Sequence, residues 1–349
     1  MKKLSRPLAL LLMLAMAFSL VACGGGSSQP ASSSAASTES SAPAASGEAS
    51  SEPADGASYV VGISQLVTHP ALDAATEGFQ DALNKWLPGQ VTFDYQNAAN
   101  DPATCATIAN AFVSKKVDLI MANATPALQA AATATADIPV LGTSVTEYGV
   151  AFGIKDFSGT VGGNISGTSD LAPLDQQAAM IKEWYPNAKK VGLLYCSNEA
   201  NSQYQVDTVQ SHLEGMGYTC TQYPFSDSND IAAVTQSAAD NNDILYVPTD
   251  NTAASNTPII DNICHGKIPV FAGEEGLAAG CGVATLSISY YDIGYKTGEM
   301  AAKILLGEAD ISTMPIEYAP EFVKKYNPPM CEDLGITPPE GYVAIEAAA

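Results

Sequence analysis

From Ser58 to about Leu305, short apolar runs alternate with longer amphipathic stretches, and this alternation limits the chain more than any other feature. Tyr59–Ile63 reads as a buried strand, and Leu72, Ala75, Phe79, Ala82, Leu83 and Trp86 follow at helical spacing. Strand Val91–Tyr95, helix Ala103–Ser114, strand Val117–Ala122, helix Pro126–Thr135 and strand Ile138–Leu141 complete a first series. After a glycine-rich stretch at 159–167 the pattern restarts with a helix carrying Leu174, Ala178, Ile181 and Trp184. Strands Lys190–Tyr195, Tyr218–Tyr223, Ile244–Val247 and Pro269–Ala272 then alternate with helices Ala200–Glu214, Asp230–Asp240 and Ala253–His265. Apolar strands separated by helices need cover on both faces, which predicts an α/β fold of two doubly wound parallel-sheet lobes.

A further strand, Val283–Ser287, and a helix with Ile293, Met300, Ile304 and Leu305 imply that the chain returns to its first lobe. Residues 58–167 plus 288–311 are expected to form the N-lobe, and 168–287 plus 312–349 the C-lobe, joined by a multi-strand hinge. In open parallel sheets ligands sit outside the carboxyl ends of the strands, so the cleft between the lobes is the expected site.

The first 22 residues stand apart. Lys2, Lys3 and Arg6 precede an apolar run from Leu8 to Leu20 that closes on Val21-Ala22-Cys23. This is the pattern of a secretory signal, with Cys23 as a lipidated new N-terminus. It predicts an extracytoplasmic protein, lipid-anchored to the cell membrane. The rest of 23–57 is nearly all Gly, Ser, Ala, Pro, Thr and Glu, which cannot bury enough apolar surface to order itself. As a flexible linker it has a reach on the order of 30 Å.

Without the signal, 12 basic residues face 37 acidic ones, for a net charge near −25. That excludes a nucleic-acid partner, which needs a basic footprint. Six cysteines remain besides Cys23, with no C-x-x-C pair, and their apolar surroundings favour free thiols over a disulfide framework. Glycine-rich phosphate loops and the G-x-S-x-G elbow are missing. His69, His212 and His265 are scattered, so no metal site, no cofactor and no catalytic residue is expected.

The loops after the strands are polar. Thr125 before Pro126 reads as an N-cap followed by the first helical residue, leaving backbone N–H groups suited to a carboxylate. Asp170, Glu199 and Asp250 offer partners for an ammonium group, so the set fits an α-amino acid. Each of these residues could equally be a plain helix cap. Leu66, Pro126, Tyr148 and Phe271 could supply an apolar platform.

Several loops are familiar as a set: Gln65-Leu66-Val67, His69-Pro70-Ala71-Leu72-Asp73, Ala124-Thr125-Pro126, Glu199-Ala200-Asn201-Ser202, Tyr246-Val247-Pro248-Thr249-Asp250-Asn251 and Ser289-Tyr290-Tyr291-Asp292-Ile293-Gly294. Together they resemble the ABC-transporter substrate-binding lipoproteins of the TrpX-like family, over about Tyr59 to Ile316. The resemblance implies a type I periplasmic-binding-protein fold, a monomer that serves an ABC permease, and an aromatic L-amino acid as ligand. It also implies that Gln65, Thr125, Ser144, Ser169, Asp170, Glu199, Asn201, Asp250 and Asn251 are ligand contacts. An exported α/β enzyme, or a sugar-binding, nucleoside-binding or sensory receptor of the same fold, is the alternative.

Overall fold

The computed structural model describes residues 58–346. The expected signal peptide, Cys23 and the whole of the linker lie outside the described residues, as do the last three.

The first sheet contains strands β1 (Tyr59–Gln65), β2 (Val91–Asn97), β3 (Leu119–Asn123), β4 (Val140–Val145) and β5 (Ile165–Ser169). The second contains β6 (Lys190–Cys196), β7 (Thr219–Phe225), β8 (Ile244–Val247), β9 (Val270–Ala272) and β10 (Ala284–Ser287). Three short late strands, β11 (Glu317–Tyr318), β12 (Val323–Tyr326) and β13 (Val343–Ala344), finish the chain. The orders are β11-β5-β4-β3-β1-β2 and β13-β12-β10-β9-β8-β6-β7, with only the β10–β12 pairing antiparallel. This is the expected two-lobed, doubly wound arrangement.

Each sheet buries both faces, and the strand alternation divides the load. In the N-lobe, Leu119 and Met121 face Phe79, Leu83 and Met300, while Ile120 and Ala122 face Ile108, Phe112 and Leu128. In the C-lobe, Val191 and Leu193 pack against Trp184, Val206 and Val209, and Leu194 and Leu245 against Ile231, Ile260 and Leu277. The six cysteines among the described residues are free. Burial pushes the thiols of Cys196, Cys220 and Cys264 up to about 12, so they pack as small apolar groups.

Helix Pro70–Trp86 and helix Tyr290–Leu305 lie side by side, and the returning helix therefore belongs to the N-lobe. Their backbones nearly touch. A Cβ on Gly78 would sit 2.1 Å from the Tyr291 carbonyl oxygen, and one on Gly294 2.0 Å from that of Ala75. Only glycine allows this approach.

Three differences from the sequence reading matter. Ile165–Ser169, read as part of a glycine-rich connection, is a strand between β4 and β11. Thr168 and Ser169, and Glu317–Tyr318, thus lie in the N-lobe sheet, not on the C-lobe side of the expected boundary. The helix expected over Ala253–His265 is two helices, Asn251–Ala254 and Thr257–Cys264. Pro258 cannot donate to the Ala254 carbonyl and its ring collides with it, so the helix breaks there. The lobes are joined by three short crossings, after β5, β10 and β11.

Candidate functional site

The carboxyl ends of β1, β3, β4 and β5 and those of β6, β8 and β9 meet across the interlobe cleft. Cross-lobe contacts fix this: His69 reaches Asn251, helix Tyr148–Phe152 touches helix Ala200–Gly215, and helix Pro70–Trp86 touches helix Glu275–Cys281. The nine expected ligand contacts, and Pro126 beside them, lie on these strand ends, in the turns that follow or in the first turn of the next helix. They divide into those whose polar groups are already used and those whose groups are free.

Glu199 is used completely. One carboxylate oxygen accepts from the Thr252 N–H and hydroxyl at 2.8 and 2.7 Å. The other accepts from the Asn251 N–H and side-chain amide at 3.1 and 2.7 Å, and from Asn201 at 3.3 Å. Asp250 caps helix Asn251–Ala254 through the Ala253 N–H at 2.8 Å and takes the Cys196 N–H at 2.6 Å. Burial first, then the charge of Glu199, pushes its carboxyl far above the usual carboxylate range. Both acids thus hold the C-lobe turns in place: each Glu199 oxygen accepts two or more bonds, and each Asp250 oxygen accepts one.

Gln65 is occupied within its own lobe by Val67, Asp73 and Thr76. Ser169 bridges the Thr146 carbonyl and the Leu171 N–H. Asn251 is held by Glu199 and His69. Glu274, in the loop after β9, caps its own helix through Gly276 and Leu277, and burial raises its carboxyl to about 7.

Ten buried side-chain atoms of the described residues have no hydrogen-bond partner in the protein; Ser64 Oγ, Asn123 Oδ1, Trp184 Nε1, Thr235 Oγ1 and Thr285 Oγ1 are five of them. The other five are Thr125 Oγ1, Ser144 Oγ, Asp170 Oδ1, Asn201 Oδ1 and His69 Nδ1. Such atoms cost about 1–3 kcal/mol each when left unmet, so a cluster of them around one cleft marks a place where something polar binds. Thr125 is not the cap it was expected to be. The N-cap is Ala124, which has no side chain to offer, and Thr125 and Pro126 are the first two helical residues of Thr125–Ala134. The helix N-terminus and the Thr125 hydroxyl are therefore both available to a carboxylate.

The backbone at this point is held in unusual conformations: Ala124 has φ 90° and ψ 156°, and Ser144 has φ 53°. The register of β4 on β5 shifts between Gly142 and Val145, an irregularity that spans Ser144. Non-glycine residues in these regions cost on the order of 1–3 kcal/mol and gather at binding sites.

Asp170 sits just past β5, at the first crossing. Tyr290 donates to its Oδ2 at 3.0 Å, while Oδ1 is unmatched. Burial raises the carboxyl to about 6, against the hydrogen bond from Tyr290. It is the acid with capacity for a cation.

Of the suggested platform residues, Phe271 is in the C-lobe core, edge-on to Trp184 and Tyr185. Leu66 and Tyr148 are in the N-lobe core, the latter donating to the Thr168 carbonyl. Pro126 lines an outer groove of about 370 Å³ with Asn198 and Gln129. A second groove, about 440 Å³, opens beside the cleft between Pro70, Glu274 and Tyr290. His69, Asn100, Thr252 and Tyr290 were not expected at the site. His69 and Tyr290 stood in recognisable runs without a role assigned to them, while the single amide of Asn100 and the single hydroxyl of Thr252 carry no motif.

Residues 60–348 match the ABC transporter substrate binding protein family. A tyrosine-binding protein of Clostridioides difficile (strain R20291) is 40% identical over 260 residues, covering 73% of this chain and 75% of that one. An ABC domain from Streptococcus pneumoniae in complex with L-Trp superposes with a TM-score of 0.78 at 32% identity, over 83% of this chain and 100% of the other. The ligand-free, open structure of a Clostridium difficile substrate-binding protein with adhesive properties gives 0.64 at 38% identity, over 83% and 100%. Shape and sequence thus rank these two neighbours oppositely. The chain as a whole superposes better on the L-Trp complex than on the open structure.

Proposed function

Because the chain belongs to the ABC transporter substrate binding protein family, its task is to present a solute to a transporter, and we propose that this solute is an aromatic L-amino acid held without catalysis between the lobes. The observation that carries the reading is the set of unmatched buried groups, which divides by charge as an α-amino acid does. The Thr125 helix N-terminus with the Thr125 and Ser144 hydroxyls suits the carboxylate. Asp170 suits the ammonium, and Asn201 adds an acceptor. The remaining expected contacts, Gln65, Ser169, Glu199, Asp250 and Asn251, frame the site. The names of the C. difficile and S. pneumoniae relatives support the aromatic class.

A thermal-shift screen tests this. A ligand that binds only the folded form stabilises it by about 2.7 kcal/mol at a hundredfold excess over Kd. L-Tyrosine, L-tryptophan or L-phenylalanine should give a clear rise in Tm. A rise with ribose or a nucleoside, and none with any amino acid, would overturn the ligand class.

Cys23 is the proposed lipid anchor, with the acidic body tethered beside an ABC permease. Cys23→Ala should release the protein from membranes, since the acyl chains contribute about 0.8 kcal/mol per buried methylene. Retention of the variant through a high-salt wash would refute the anchor.

A further inference from the structure

Among the described residues two side-chain hydrogen bonds join the lobes, and they land on consecutive residues. Asn100 Nδ2 donates to Thr252 Oγ1 at 2.9 Å, and His69 Nε2 lies 3.2 Å from Asn251 Oδ1. Asn100 and His69 follow β2 and β1 in the N-lobe, while Asn251 and Thr252 open the short helix Asn251–Ala254 of the C-lobe.

The receiving pair cannot swing away. Glu199 takes the Asn251 amide on one oxygen and the Thr252 hydroxyl on the other, each at 2.7 Å. This also settles the chemistry of the histidine contact. With Asn251 Nδ2 given to a carboxylate, its Oδ1 is what faces His69, so His69 Nε2 carries the proton and donates.

Asn100 is presented by strained backbone. Ala99 and Asn100 have φ 51° and 65°, and the Asn100 N–H is tied to the Leu66 carbonyl at 2.8 Å. Two successive left-handed residues without glycine are unfavourable, and they aim this side chain across the cleft.

We infer that Asn100 and His69 are positioning residues of a two-point latch, anchored on Glu199, which holds the lobes shut and so governs how fast an enclosed solute escapes. The inference rests on the solute-binding reading of the cleft. Neither hydrogen bond can form with the lobes apart, so removing one should speed release and leave capture nearly unchanged.

Stopped-flow release and capture of L-tyrosine by the full chain provide the test, with Asn100→Ala, Thr252→Val and the double variant. Each single variant should raise the release rate about fivefold, the worth of one net hydrogen bond. Capture should stay within twofold, and the double variant should be no faster than the faster single one, because the bond is lost only once. Release within twofold of wild type in both singles, or multiplying effects in the double, overturns the latch. If the wild type binds no aromatic amino acid, the functional reading is what fails. Small-angle scattering of the ligand-free chain then decides the latch alone: Asn100→Ala with His69→Ala should enlarge the radius of gyration, and superimposable curves overturn it.

Discussion

The two lobes meet the cleft with different kinds of polar group. The C-lobe presents the acids Glu199, Asp250 and Glu274, and all three are spent on their own lobe's backbone N–H groups. The N-lobe presents hydroxyls and an uncapped helix end, and Thr125 and Ser144 are spent on nothing. Asp170, at the crossing between the lobes, is half spent. The acids that draw the eye in the sequence are therefore mostly framework, and the binding capacity lies in quieter residues. A carboxylate buried on folding needs donors at once, and the nearest donors are the helix N-termini beside it.

Glu199→Ala should break this contrast most severely. It strips partners from two backbone N–H groups and from the side chains of Asn251 and Thr252, at a cost of about 3 kcal/mol or more. Calorimetry should show a Tm lower by several degrees without ligand. An unchanged Tm with a lost affinity would make Glu199 a ligand contact instead.

Asp170→Asn should do the reverse. It should weaken amino-acid binding by about 2 kcal/mol, roughly thirtyfold, by leaving an enclosed ammonium without its charge partner. Stability without ligand should hold or rise slightly, since a buried carboxylate has been neutralised. Titration calorimetry beside a melting curve separates the two effects, and a destabilised variant of unchanged affinity would place Asp170 with the framework acids.

A smaller effect sharpens the same distinction through pH. The folded pKa of Asp170 is raised to about 6, above its unfolded value, so the folded protein holds this proton more tightly. Its contribution to stability therefore grows as pH falls through about 6 toward 4 and is lost as pH rises through that window. Binding needs the ionised form and runs the other way: Kd should rise about fourfold between pH 7.5 and 5.5 for a group of that pKa. Asp170→Asn should abolish this dependence of Kd, and a variant that kept it would assign the titration elsewhere.

The layered fold was legible because strands buried on both faces must be continuously apolar, as Leu119–Asn123 and Ile244–Val247 are nearly throughout. β5 was not, because it is built of Ser166, Gly167 and Thr168 and buries them through hydrogen bonds. Ser166 donates to the Met314 carbonyl, and Thr168 pairs with Thr143 and Thr297. Polar satisfaction by distant partners leaves no periodic signal. The candidate site was legible as a set of loops, yet not in its roles. Whether Glu199 or Asp170 has a spare oxygen depends on where Asn251, Thr252 and Tyr290 lie, far off in the chain.

The glycine contact between helix Pro70–Trp86 and helix Tyr290–Leu305 bears on how the chain is made. Partners more than 200 positions apart in the sequence close with their backbones touching at Gly78 and Gly294, so the N-lobe stays unfinished until most of the chain has emerged. During synthesis or export from the N-terminus, Phe79 and Leu83 would wait without the helix that covers them, while helices and strands of the C-lobe assemble from closer neighbours. Distant pairings form slowly, and the uncovered apolar surface invites capture by other chains in the interval. A substitution at Gly78 would lengthen that wait before it altered anything in the finished cleft.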